Sequence, residues 1–123
     1  IILICNNDYL KLTNQDVRLL ENHLKQGGLL ILDNIISDYT YSIFLNKILP
    51  EFEEKSLYLD IFFKENLFEI NLDEANIDLG GIFINNKLAL LGIKKESLIS
   101  QWSDENEEFF KIGSNIIFYN LTR

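Results

Sequence analysis

Residues 1–34 open with Ile1-Ile2-Leu3-Ile4-Cys5-Asn6-Asn7-Asp8 and close with Gly27-Gly28-Leu29-Leu30-Ile31-Leu32-Asp33-Asn34. The two apolar runs, Ile1 to Ile4 and Leu29 to Leu32, show no polar alternation, so each predicts a strand covered on both faces. Between them Thr13 has the position and chemistry of a helix N-cap, and Asp16 places a carboxylate in the first turn, where the helix dipole favours it. Leu12 and Val17 stand at hydrophobic-staple spacing across that cap. Val17, Leu20 and Leu24 supply the inward stripe, while Arg18, Glu21 and Lys25 face water. Gly27 ends the helix, because a residue without a β-carbon enters the left-handed region cheaply. Two strands joined by one helix lie parallel, through a right-handed crossover. Their closing residues, Cys5-Asn6-Asn7-Asp8 and Asp33-Asn34, therefore belong to one and the same sheet edge.

Working outward, Ser37 or Asp38 is the expected cap of a second helix. It would turn Tyr41, Phe44, Leu45 and Ile48 inward and stop before Pro50. Leu57-Tyr58-Leu59 predicts a short strand, and Phe62 to Phe68 a helical turn. Ile82-Phe83-Ile84 and Leu88-Ala89-Leu90-Leu91 flank Asn85-Asn86, a pair that accepts the positive backbone angles of a two-residue hairpin turn. Lys94 to Trp102 is a loop or short helix. Ser103 precedes the acidic run Asp104 to Glu108, which suits a helix N-terminus. Phe109, Ile112, Gly113, Ile116, Ile117 and Leu121 follow at helical spacing as the expected buried stripe. With no repeat, linker or low-complexity run, residues 1–123 predict one mixed α/β domain, a mostly parallel sheet plus a β-hairpin.

The bulk composition sets bounds on function. An apolar fraction of 47% is enough for a real core. Nineteen acidic against eleven basic residues give a net charge of −8, which repels phosphate backbones and anionic lipid and argues against nucleic-acid partners. No apolar run approaches the roughly 20 residues a bilayer crossing needs, so this segment is not expected to insert directly into a membrane. Cys5 is the single cysteine and cannot form an internal disulfide. The chain begins at Ile1 and contains no Met, and the expectation is a piece of a longer protein.

Leu12-Thr13, the segment Gly27 to Asn34, Tyr41 to Pro50, and the closing Gly113-Ser114-Asn115-Ile116-Ile117-Phe118-Tyr119-Asn120-Leu121-Thr122-Arg123 together resemble an uncharacterised bacterial domain family of the class I glutamine amidotransferase-like superfamily. The resemblance covers nearly the whole chain but only the later part of that family's domain. It implies a flavodoxin-like, glutamine amidotransferase-like sandwich, N-terminally truncated, with a strand–helix portion upstream of Ile1. It also implies a long bacterial parent protein, tethered to the inner membrane, whose other domains are partners. Where the family carries Thr-Gly-His after its first strand, this chain has Cys5-Asn6-Asn7. The family's two aspartates after the second strand are here Asp33 and Asn34, and its His-Pro has no counterpart between Leu57 and Phe68.

Ligands of open parallel sheets sit beyond the carboxyl ends of the strands, and neighbouring strands lie about 4.8 Å apart. The candidate ligand-binding rim is therefore Asn6, Asn7, Asp8, Asp33 and Asn34, against the alternative that these residues only cap loops and helices. Cys5 lacks a base. His23 lies on a helix running away from the rim, about 13 Å back at a rise of roughly 1.5 Å per residue, and it is the only His in the chain. A buried structural thiol fits Cys5 better than a nucleophile, and a partly buried helix position fits His23. Asp8 and Asp33 lack a recognised metal-ligand spacing, and no glycine-rich phosphate loop is present. No cofactor or metal is expected. The resulting expectation is a non-catalytic module for ligand sensing or protein contact within a larger bacterial protein. The alternatives are a hydrolase or amidotransferase-like enzyme whose base comes from upstream, and a purely structural packing domain.

Overall fold

The computed structural model of this chain describes residues 1–4, 11–35, 38–57, 68 and 77–122. Its elements in chain order are β1 (Ile2–Ile4), α1 (Asn14–Lys25), β2 (Leu30–Ile35), α2 (Asp38–Ile48), β3 (Lys55–Ser56), β4 (Asp78–Ile84), β5 (Lys87–Lys94), α3 (Leu98–Ser103) and α4 (Glu107–Thr122). The strands form one five-stranded sheet in the order β1-β2-β5-β4-β3. β1 pairs parallel with β2, in the register Ile2 to Leu30 and Ile4 to Leu32. β2 in turn pairs parallel with β5. β4 is antiparallel to both β5 and β3, so it alone runs against the others. The domain is thus mixed α/β with a mostly parallel open sheet.

Strand parity assigns the two faces. Leu30 and Leu32 point toward α1 and α2, where Leu20, Leu24, Tyr41 and Ile48 complete one core. Leu29 and Ile31 point the other way, toward Leu98 of α3 and Phe109, Ile112 and Ile116 of α4. β2 then departs from simple alternation. Leu32 faces Gly92 but Ile35 faces Lys94, so β2 spends one extra residue there, and Asn34 takes it up with φ at 58°. The bulge returns Ile35 to the α2 face and bends the strand end. A second irregularity falls in the hairpin, where Ile82 pairs Leu90 but Phe83 pairs Leu88. The Leu88 amide nearby donates to the Tyr119 hydroxyl of α4 at 2.8 Å.

Helix α1 forms as its sequence dictates. Thr13 Oγ1 accepts the Asp16 amide at 3.1 Å, and Asp16 Oδ2 accepts the Thr13 amide at 2.9 Å, a reciprocal capping box. Leu12 packs against the core beneath it. The Asp16 carboxyl is held below the 3.8 of an ordinary aspartate, first by the Thr13 backbone amide and then by the Thr13 side chain. A lowered folded value means that the cap's contribution is complete above 3.8 and fades as pH falls through that lowered value. The expected result is a loss of protection at the Thr13 amide, which the Asp16 carboxylate accepts, measured by NMR against its intrinsic exchange rate in that acid range, and absence of that pH response in Asp16→Asn.

The hairpin turn matches its expectation, with Asn85 at φ 52° and Asn86 at φ 64°. α2 ends at Ile48, ahead of Pro50. Tyr41 and Ile48 are buried and Leu45 packs partly beneath them. Three expectations need correction or fall elsewhere. A short strand is found at Lys55–Ser56; of the one expected at Leu57-Tyr58-Leu59, Tyr58 and Leu59 lie outside the described residues, as does the expected helical turn apart from Phe68. The acidic run is divided: Ser103 ends α3 with Asp104 as its C-cap, and only Glu107 and Glu108 stand in the first turn of α4. Asn106 caps that helix, its Oδ1 accepting the Glu108 amide at 3.1 Å. Finally, Ile117 and Leu121, expected in the buried stripe, are 54% and 77% exposed. The rest of the expected stripe, Phe109, Ile112, Gly113 and Ile116, is buried as read; periodicity included Ile117 and Leu121 because α4 is apolar on more than one side.

Candidate functional site

The carboxyl edge of the parallel strands is where the rim was expected, and it carries a different polar arrangement on each face of the sheet. On the α3 face stands Asp33, completely buried. Residue 33 shares the parity of Leu29 and Ile31, which sends its carboxylate toward α3. There Oδ1 accepts the Leu98 amide at 2.7 Å, while Oδ2 accepts the Ser97 hydroxyl at 2.9 Å and the Ile99 amide at 3.3 Å. Ser97 is itself the N-cap of α3 and accepts the Ser100 amide at 3.2 Å. A buried carboxylate requires such donors, and helix amides with no partner inside the helix require such an acceptor. The two needs meet, and Asp33 ties β2 to α3.

The other face carries a half-buried ion pair on a floor of glycines. Gly80 and Gly92 are directly paired across β4 and β5, so both open the same face. A β-carbon on Gly92 would lie 2.4 Å from the Tyr41 hydroxyl, and one on Gly80 would lie 2.5 Å from the Glu54 carboxyl carbon. Two pairs further along, and so on the same face, Asp78 stands opposite Lys94. Lys94 Nζ meets Glu54 Oε1 at 2.6 Å, each side chain 22% exposed. The same ammonium lies 5.1 Å from the centre of the Tyr41 ring, within cation–π range. Glu54 Oε2 is buried and makes no hydrogen bond among the described residues. The cluster thus joins α2, the α2–β3 connection and the carboxyl end of β5.

Of the residues expected at the rim, Asn6, Asn7 and Asp8 lie outside the described residues. Asn34 is half-buried in the bulge, and Asp33 is turned to α3. The structure brings Asp33 together with Ser97 and places Lys94, Glu54 and Tyr41 on the opposite face. Sequence reasoning placed Tyr41 only as an inward helix residue and passed over the pairing of Lys94 with Glu54. Lys94 and Glu54 are separated by forty positions, and no local spacing announces such a pair. The Gly80-Gly81 doublet was the one available signal, as glycine inside a strand marks close approach by other groups.

His23 lies at the far edge. Its ring packs over Gly28, where a β-carbon would come within 2.3 Å of it, at the amino end of β2. Its Nε2 is buried without a hydrogen-bond partner among the described residues. A shallow hollow of about 200 Å³ opens at this amino edge, between Gly27, Gly28, Asn85 and Lys87. The imidazole is therefore remote from the carboxyl rim. Among the described residues no group of three or more His, Cys, Asp or Glu side chains gathers as a metal site. No helix among them is long and apolar enough to cross a membrane. No family model, no curated protein and no solved structure matches the chain.

Proposed function

We propose that this domain is a non-catalytic α/β module of glutamine amidotransferase-like fold, serving ligand sensing or protein contact within a larger bacterial protein. The observation that carries this reading is Asp33. The described carboxylate of the expected rim, it is fully buried and accepts three hydrogen bonds at the start of α3. A general base must reach the proton it abstracts, and a carboxylate saturated by backbone amides and a serine does not. The lone imidazole, at the opposite edge, is equally out of reach. Lys94 and Glu54 are partly exposed charged groups at this edge, with Asp78 paired opposite Lys94, and a ligand would meet them there.

The test pairs a binding screen with a turnover screen. The chain is incubated with small amino acids, amides and carboxylates and its melting temperature followed, and amide and ester substrates are assayed for hydrolysis. The expected outcome is a ligand that raises the melting temperature without being consumed, with the rise reduced at least about tenfold in apparent affinity by Lys94→Ala. Hydrolysis that disappears in Cys5→Ala while the melting temperature stays unchanged would overturn the proposal.

A further inference from the structure

Helix α4 carries a second apolar stripe that its packing on the sheet does not use. Phe110, Ile117, Phe118 and Leu121 remain between 40% and 77% exposed. Phe110, Ser114, Ile117 and Leu121 succeed one another at steps of four, three and four residues, the alternation of a and d positions in a coiled-coil seam. Phe118 flanks that seam. From Ile112 to Thr122 the helix has no charged side chain, although the chain as a whole is strongly acidic. Interface centres are depleted of charge in this way, whereas ordinary surfaces are not.

The occupant that fits is a second copy of the same helix. In an antiparallel pair, a positions of one helix layer against d positions of the other. About a two-fold axis passing between Asn115 and Ile116, Phe110 would face Leu121 of the second copy, and Ser114 would face its Ile117, a small side chain against a large one. A two-fold contact of this kind is self-complementary. The four exposed side chains present on the order of 400 Å² of apolar surface per copy, the size of patch that on a monomer is often functional. With Glu107, Lys111 and Asn120 as a polar rim, the pair would remove on the order of 1,200 Å² in all, the lower bound of specific interfaces. Each helix is already held by its own sheet, so pairing need not order it. A net charge of −8 on each copy opposes association and is screened by salt.

We propose that α4 pairs antiparallel with α4 of a second copy, making a weak two-fold symmetric dimer. The proposal is independent of the ligand-sensing reading. Sedimentation velocity of the chain, under reducing conditions so that Cys5 cannot cross-link, is run from about 5 to about 500 μM. The expected result is a monomer–dimer equilibrium with Kd on the order of tens of micromolar, tightening when salt is raised. Ile117→Glu gives a monomer throughout this range with an unchanged melting curve, because the position is exposed. Ser114→Leu fills the small central layer and tightens the dimer by about tenfold or more. A wild-type chain that stays monomeric at the top concentration overturns the proposal, as does a dimer indifferent to Ile117→Glu. A monomer that instead binds phosphatidylcholine vesicles through Ile117 assigns the face to lipid, and equally overturns it.

Discussion

Asp33→Ala lowers the unfolding free energy by about 3–4 kcal/mol, the cost of leaving buried donors without their charged acceptor, and the melting temperature by on the order of 10 °C. The loss is large because three donors depend on one carboxylate: the Ser97 hydroxyl and the amides of Leu98 and Ile99. Leu98 is fully buried, so water cannot replace the acceptor at its amide. Asp33→Asn keeps one acceptor oxygen but turns an amide donor toward other donors, and about half of the loss is expected to remain. Trp102, the only tryptophan, sits within α3 and reports on it directly. Urea unfolding followed by Trp102 fluorescence should therefore show the shift. A change in Asp33→Ala below about 1 kcal/mol, the level of an ordinary surface substitution, would contradict the assigned role.

Gly92→Ala is the second large effect, at about 2–3 kcal/mol of overpacking. The added methyl would lie 2.4 Å from the Tyr41 hydroxyl, 2.9 Å from Ile35 Cδ1 and 3.0 Å from Tyr41 Cζ. None of these neighbours yields readily. Tyr41 is buried beneath α2, and Ile35 is fixed by the bulge at Asn34. The nearest atom can, however, be removed. Combining Gly92→Ala with Tyr41→Phe deletes the hydroxyl, and the double variant is expected to regain about 1 kcal/mol relative to the sum of the two single losses. Thermal unfolding of the four members of this cycle measures the coupling. Strict additivity would mean that the hydroxyl is not what excludes a side chain at position 92.

The parts of this architecture legible in the chain were those in which local rules agree. Thr13, Asp16, the Leu20–Leu24 stripe and Gly27 all specify α1, and two unbroken apolar runs specify its flanking strands, although β1 lies at the end of the strand order with Leu3 40% exposed and is not covered on both faces as the run implied. Asn85-Asn86 specifies the hairpin. Where two rules compete, the sequence under-determines the outcome. Ser103 and Asn106 are both good N-caps, and only packing chooses between them. Phe109-Phe110 and Ile116-Ile117-Phe118 place apolar side chains on several sides of α4, so periodicity alone does not say which side the sheet takes. Asp33 was visible as a polar residue at a strand end, but its partner was not. Its parity with Ile31 does indicate the α3 face, and α3 needs an acceptor there. The contact between Lys94 and Glu54 depends on the long excursion through β3 and β4, and no short-range pattern encodes it.

Amide hydrogen exchange at Leu98 tests the central claim most directly, because that amide donates to Asp33 Oδ1 at 2.7 Å. If Asp33 is a structural tie, Leu98 in the wild-type chain exchanges as slowly as the β2 and β5 amides, through global unfolding. In Asp33→Ala, exchange at Leu98 accelerates by at least about a hundredfold while β2 stays protected. Rapid exchange of Leu98 in the wild type would show the carboxylate turned away from α3 and available for chemistry, and the reading of this rim as non-catalytic would lose its support.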